Sequence, residues 1–75
     1  MNTPSLATQV AQRVQAGMEA AGVSQVRLSE ATGIARPTLI RRLQGHTAFT
    51  VNEMALIALA LRCSVLDLLP EQEVA

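Results

Sequence analysis

Apolar residues recur along this chain at the spacing of helices. Leu6, Val10, Val14 and Met18 stand four apart, with Ala7, Ala11 and Ala21 beside them, while Gln9, Gln12, Arg13, Gln15 and Glu19 take the opposite side. One stripe on a 3.6-residue period predicts an amphipathic helix over 5–21. Thr3 is placed to cap it and Pro4 to open it, where a missing N–H costs nothing. Gly17 weakens the interior by about 0.5–1 kcal/mol relative to alanine and leaves room for a close neighbour. Gly22 stands where a left-handed cap ends the helix.

The next elements follow from their punctuation. Ser24 caps a second helix over 25–32, with Val26 and Leu28 as its large apolar residues, and Gly33 stops it. Ile34 turns back towards the core. Ala35 and Arg36 lead into a third helix with Pro37 in its first turn, running to about Gln44 and ending at Gly45. Leu39, Ile40 and Leu43 lie within about 100° on that cylinder and form its buried side. Thr50 and Glu53 make a capping box for a fourth helix over 51–62. Val51, Met54, Ala55, Ala58 and Leu61 are read as its inner face, with Ile57 and Leu59 on the flanks. Ser64 caps a last short helix over 65–69, with Asp67 in its first turn, and Pro70 ends it. The expectation is an all-α, compact five-helix domain spanning 1–75, with an ordered core over about 5–70 and a frayed tail over 71–75.

Composition narrows the class. Apolar residues make up 49% of the chain but Phe49 is the one aromatic, so the core is built from Leu, Val, Ile, Met and Ala, which favours helices. A single cysteine, Cys63, can close no internal disulfide, which points to an intracellular, cytoplasmic setting. The apolar run 54–61 is far shorter than the ~20 residues a bilayer span needs, so no membrane role is expected. His46 is the one histidine, so no metal site is expected. The acids show no paired arrangement, Cys63 has no patterned base, and no glycine-rich phosphate loop is present, so neither an enzyme nor a cofactor is expected.

Charge changes the picture in one place. The net charge is zero. Yet Arg27, Arg36, Arg41 and Arg42 fall between Gln25 and Thr47 with one acid, Glu30, giving a local +3. Glu53, Asp67, Glu71 and Glu73 gather outside it. A local patch sets the field a phosphate backbone feels. All the basic residues are arginine; a GC-rich genome accounts for most of that bias, and the planar fork suits phosphate and guanine in any case. Opposite the buried side of helix three lie Pro37, Thr38, Arg41 and Gln44, with Arg42 on the flank and Arg36 at the tip. A helix about 10–12 Å across fits the roughly 12 Å major groove of B-DNA. Taken alone, helix three is equally well a solvated amphipathic helix with ordinary surface arginines.

The spacing of Gln25, Leu28, Ser29, Gly33, Ile34 and Leu39 tips that balance. It resembles the helix-turn-helix of the lambda-repressor and Cro-like family of phage and bacterial regulators. The small Ser29 lets two helices cross and Gly33 makes the turn. The resemblance extends through Gly45 and the segment FTVNEMALIALALRCSVLDLL, covering about residues 6–69. It implies a sequence-specific transcriptional regulator of double-stranded DNA, of phage or mobile-element repressor type, with no catalysis. Arg36, Pro37, Thr38 and Arg41 would face base edges, Pro37 through apolar contact alone. Gln25, Arg27, Arg42, Gln44 and the segment Gly45, His46 and Thr47, in part through backbone N–H groups, would bind phosphate.

Two departures stand out. Arg42 occupies a position that is apolar in the family, so Leu43 takes over its packing role, and two courses are open to Arg42, towards DNA or along the surface. Ala35 replaces a capping Ser or Thr, leaving N–H groups free for a phosphate. Helix four is apolar nearly all round. Helices one and five would bury it; alternatively Leu56, Ala60, Leu66 and Leu69 form a homodimer surface, which suits a palindromic operator with half-sites roughly 34 Å apart. An antitoxin-like module that binds a protein through helices 51–69 is the competing reading.

Overall fold

The computed structural model describes residues 4–70. It contains five helices and, among the described residues, no strand: α1 Leu6–Ala21, α2 Gln25–Thr32, α3 Arg36–Leu43, α4 Val51–Leu61 and α5 Val65–Leu68. The expected order and class are therefore observed. α2 and α3 form the central two-helix unit. α1 braces α3, α4 and α5 from one side, and α4 packs on α2, α1 and α5. The backbones of α3 and α4 do not approach each other closely.

The termini follow the capping chemistry. Ser5 caps α1, its hydroxyl accepting from Thr8 N–H at 3.2 Å. The cap expected at Thr3 lies outside the described residues. Ser24 caps α2 through Arg27 N–H at 3.2 Å. Thr50 and Glu53 complete their reciprocal box on α4, and Ser64 and Asp67 complete a second one on α5 that the sequence reading missed. Each such cap satisfies N–H groups that have no partner inside the helix. α4 ends one residue earlier than expected, because Arg62 turns into the left-handed region at φ 57°. α5 likewise ends at Leu68 and not Leu69.

The core runs through every helix: Val10, Ala11, Val14 and Met18 of α1, Leu28 of α2, Leu39 and Leu43 of α3, and Leu68 of α5. α4 contributes Met54, Ile57, Ala58 and Leu61. This corrects the expected inner face. Ile57, placed on a flank, is fully buried, whereas Val51 is 80% exposed and Ala55 lies open. Leu6 and Val26, also read as apolar anchors, are exposed because they stand in the first turns of α1 and α2, beyond the edge of the core. Gly17 does admit a close neighbour: a Cβ there would meet Leu61 Cδ1 at 3.1 Å.

Candidate nucleic-acid interface

The turn that aims α3 is tied around Ile34. Ser29 Oγ donates to Ile34 O at 2.5 Å, and Thr32 Oγ1 accepts from Ile34 N–H at 3.2 Å while donating to Leu28 O at 2.7 Å. Gly33, at φ 76°, returns its N–H to Ser29 O at 2.9 Å. That backbone conformation is open to glycine at little steric cost. Ser29 therefore does more than stay small. Its hydroxyl, and the buried Thr32, fix the chain direction entering α3. Ile34 is buried, as expected.

α3 starts at Arg36 with Pro37 in its first turn and Ala35 before it, and no side chain caps it. Leu39 and Leu43 are buried; Ile40, expected with them, is half-buried. Leu43 thus fills the packing role displaced by Arg42. The far face is open: Arg36, Pro37, Arg41 and Gln44 are exposed and Thr38 is half-buried. Gln25 and Arg27 are exposed on α2, and His46 on the loop after α3. The base-facing candidates thus stand together on α3 at positions open or partly open to solvent.

The C-terminal end of α3 is held by three side-chain and backbone devices. Gln15 Nε2 donates to Leu43 O at 2.7 Å, satisfying one of the helix's orphan carbonyls from 28 residues away. The N–H groups of Gly45 and His46 close on Arg42 O and Arg41 O at 3.0 and 3.2 Å. These two N–H groups were expected to face phosphate; the helix end claims them instead, because its last carbonyls need donors. Gly45 sits at φ 80° against α1, where a Cβ would lie 2.9 Å from Thr8 Oγ1.

Arg42 resolves its two courses in an unforeseen way. Its Nε lies 2.7 Å from Glu53 Oε1, an ionic contact, and its Nη1 donates to Thr47 Oγ1 at 3.0 Å. Both charged side chains are largely covered, at 20% and 16% exposed. Thr38, Arg41, Arg42 and Thr47 then line a polar cavity of about 240 Å³ beside the open face of α3.

The tentative dimer residues divide. Leu56 and Leu66 are exposed, while Ala60 and Leu69 pack partly against the molecule's own core. Leu59, at 78% exposed, lies beside them and was not singled out for that surface. Cys63 is a half-buried free thiol. Burial pushes its pKa up, and the nearby Asp67 carboxylate adds to the rise, opposite to the direction that activates a nucleophile. Among the described residues no group of side chains could hold a metal ion, and no helix is long and apolar enough to cross a membrane.

Comparison with known proteins places this geometry. No curated protein is similar enough in sequence to be matched to the chain. In three dimensions it is similar to the restriction-modification controller protein C.AhdI from Aeromonas hydrophila, with a TM-score of 0.77 and 22% identity over 83% of this chain and 94% of that one. The helix-turn-helix family model matches residues 14–68, which takes in the last turns of α1 and all of α2 to α5. The chain belongs to the XRE-type helix-turn-helix family of DNA-binding transcriptional regulators.

Proposed function

We propose that this regulator is a sequence-specific repressor of phage or mobile-element type, acting in the cytoplasm without catalysis. It inserts α3 into the major groove of operator DNA and occludes the promoter. Arg36, Pro37, Thr38 and Arg41 face base edges; the side chains of Gln25, Arg27, Arg42, Gln44, His46 and Thr47 flank them along the phosphates, while Gly45, its N–H spent on Arg42 O, shapes the turn that carries them. The observation that carries the reading is the outer face of α3, basic, open and without an acid from Arg36 to Gln44, on a helix whose direction is fixed from both ends. Arginine forks suit guanine O6 and N7, each good pair giving about 1–3 kcal/mol of discrimination.

The 75 residues act as one domain, and two copies bind a palindromic operator with half-sites roughly 34 Å apart. Exposed Leu56, Leu59 and Leu66 support that homodimer. The same leucines also favour a second reading, an antitoxin-like surface that binds another protein. Selection of bound sequences from a random duplex pool tests the first. It should return one motif with two-fold symmetry. Recovery of no motif, or absence of salt-sensitive binding at low micromolar protein, would refute the repressor reading. An asymmetric half-site would remove the homodimer alone.

A further inference from the structure

α3 and α4 share no backbone packing, so the Arg42–Glu53 contact is a tie between the two helices made by side chains. Glu53 serves two masters. Its Oε1 accepts the Thr50 N–H at 2.8 Å, completing the α4 cap, and lies 2.7 Å from Arg42 Nε. Arg42 is held again at Nη1 by Thr47. The side chain is thereby held by one hydrogen bond, at Nη1, and by an ion pair at Nε that is close in distance but not aligned as a hydrogen bond. Held at both points, it keeps less rotamer freedom to lose on binding. Arg42 lines the polar cavity beside α3 together with Thr38, Arg41 and Thr47. Thr47 Oγ1 accepts from Arg42, so its own hydrogen is available to a ligand. No carboxylate lines this cavity. Such a donor set suits a singly placed oxyanion.

We propose that Glu53 is a positioning residue that presents Arg42 to one phosphate of the DNA backbone at the C-terminal end of α3. The proposal rests on the DNA-binding reading above. Charge and position give opposite signs here. As a bare negative charge, Glu53 repels a phosphate, and its neutralisation would tighten binding. As the holder of Arg42, its neutralisation loosens binding.

The test measures affinity for a short random-sequence duplex across a salt series, for the wild type, Glu53→Gln, Arg42→Ala and the double variant, with melting temperatures alongside. Glutamine can still serve the α4 capping box, so the cap survives. Each single change should weaken binding about fivefold and reduce the magnitude of the salt slope by about 0.9, the value for one phosphate contact. The double variant should bind like Arg42→Ala, because Glu53 acts through Arg42. Unchanged or tighter binding by Glu53→Gln, an unchanged slope, or penalties that add would overturn the proposal.

Should Glu53→Gln lower the melting temperature too far, Arg42→Lys gives the same decision: the charge stays, the two-point fork is lost, and affinity should fall about threefold. Equal affinity would overturn the positioning role. Inorganic phosphate, added to the free protein at constant ionic strength, should leave the Arg42 Nε resonance in place; saturable binding would assign the cavity to a free anion and overturn the DNA-backbone assignment. A wild type without salt-dependent binding would sink the DNA reading with it, whereas a normal wild type with an intact Glu53→Gln sinks the positioning role alone.

Discussion

α3 and α4 solve the same problem with opposite surfaces. Each buries one side: Leu39 and Leu43 on α3, and Met54, Ile57, Ala58 and Leu61 on α4. Their outer sides diverge. α3 shows arginines, proline and glutamine to solvent, whereas α4 shows Val51, Ala55, Leu56 and Leu59. The inner sides are what folding requires. An outer side beyond that requirement is free to be shaped by what it meets, and the two differ in kind: one basic and polar, the other apolar.

The contrast is sharpest where inner and outer residues are changed on the same helix. Leu39→Ala and Ile57→Ala should each cost about 2–5 kcal/mol in denaturant unfolding, enough to leave a small domain largely unfolded. Arg41→Ala and Leu59→Ser should stay within about 0.5 kcal/mol of the wild type. A large loss from Leu59→Ser would erase the distinction on α4.

Binding separates the outer sides next. Arg41→Ala should relax preference at one or two base positions by about 1–3 kcal/mol while nearly keeping affinity for random DNA. Arg27→Ala should weaken all sequences alike and lower the salt slope by about one. Competition binding against single-base operator variants reads both, and swapped phenotypes would reverse the assignment of readers and clamps. Leu59→Ser combined with Leu66→Ser should shift sedimentation towards monomer with the melting temperature nearly kept. A still-dimeric double variant would move the homodimer surface off these leucines.

Smaller effects belong to the end of α4. Arg62 occupies a left-handed cap that costs a side-chain-bearing residue about 1–2 kcal/mol, so Arg62→Gly should gain at most about 1 kcal/mol after glycine's own entropy is counted. Cys63 has a raised pKa, so its neutral form favours the fold. That contribution is complete below the ordinary thiol value of about 8.5 and is lost as pH rises through the higher folded value. Melting of the wild type should therefore fall relative to Cys63→Ala above about pH 8.5; parallel curves would contradict it.

Most of the fold was legible because caps and breakers are local. Ser24, Gly33, Thr50 with Glu53, and Ser64 each mark a boundary within a few residues of sequence, and each is found in place. The orientation of α4 was not legible, because a helix apolar nearly all round has no contrast from which to choose an inner face. Ile57 and Val51 were exchanged for that reason. Leu68 escaped because a four-residue helix carries no period.

On the candidate site, the open face of α3 followed from its charge pattern. The supports did not, since Gln15 reaches Leu43 across 28 residues and Glu53 was already accounted for by its cap. A signal for the Arg42–Glu53 pair was nonetheless present. An arginine in an otherwise apolar packing position needs a counter-charge, and Glu53 is the first acid after it.

Arg36, Pro37 and Arg41 contribute no side-chain hydrogen bond, ion pair or core contact among the described residues, while the turn that aims them is held by Ser29, Thr32 and Gly33. On the proposed assignment, readout and folding are therefore carried by separate residues. Natural selection can exchange the three exposed positions without bringing the protein near its stability threshold. A lineage can pass from one operator to another through intermediates that all fold, and a laboratory library confined to these positions should consist almost wholly of folded members.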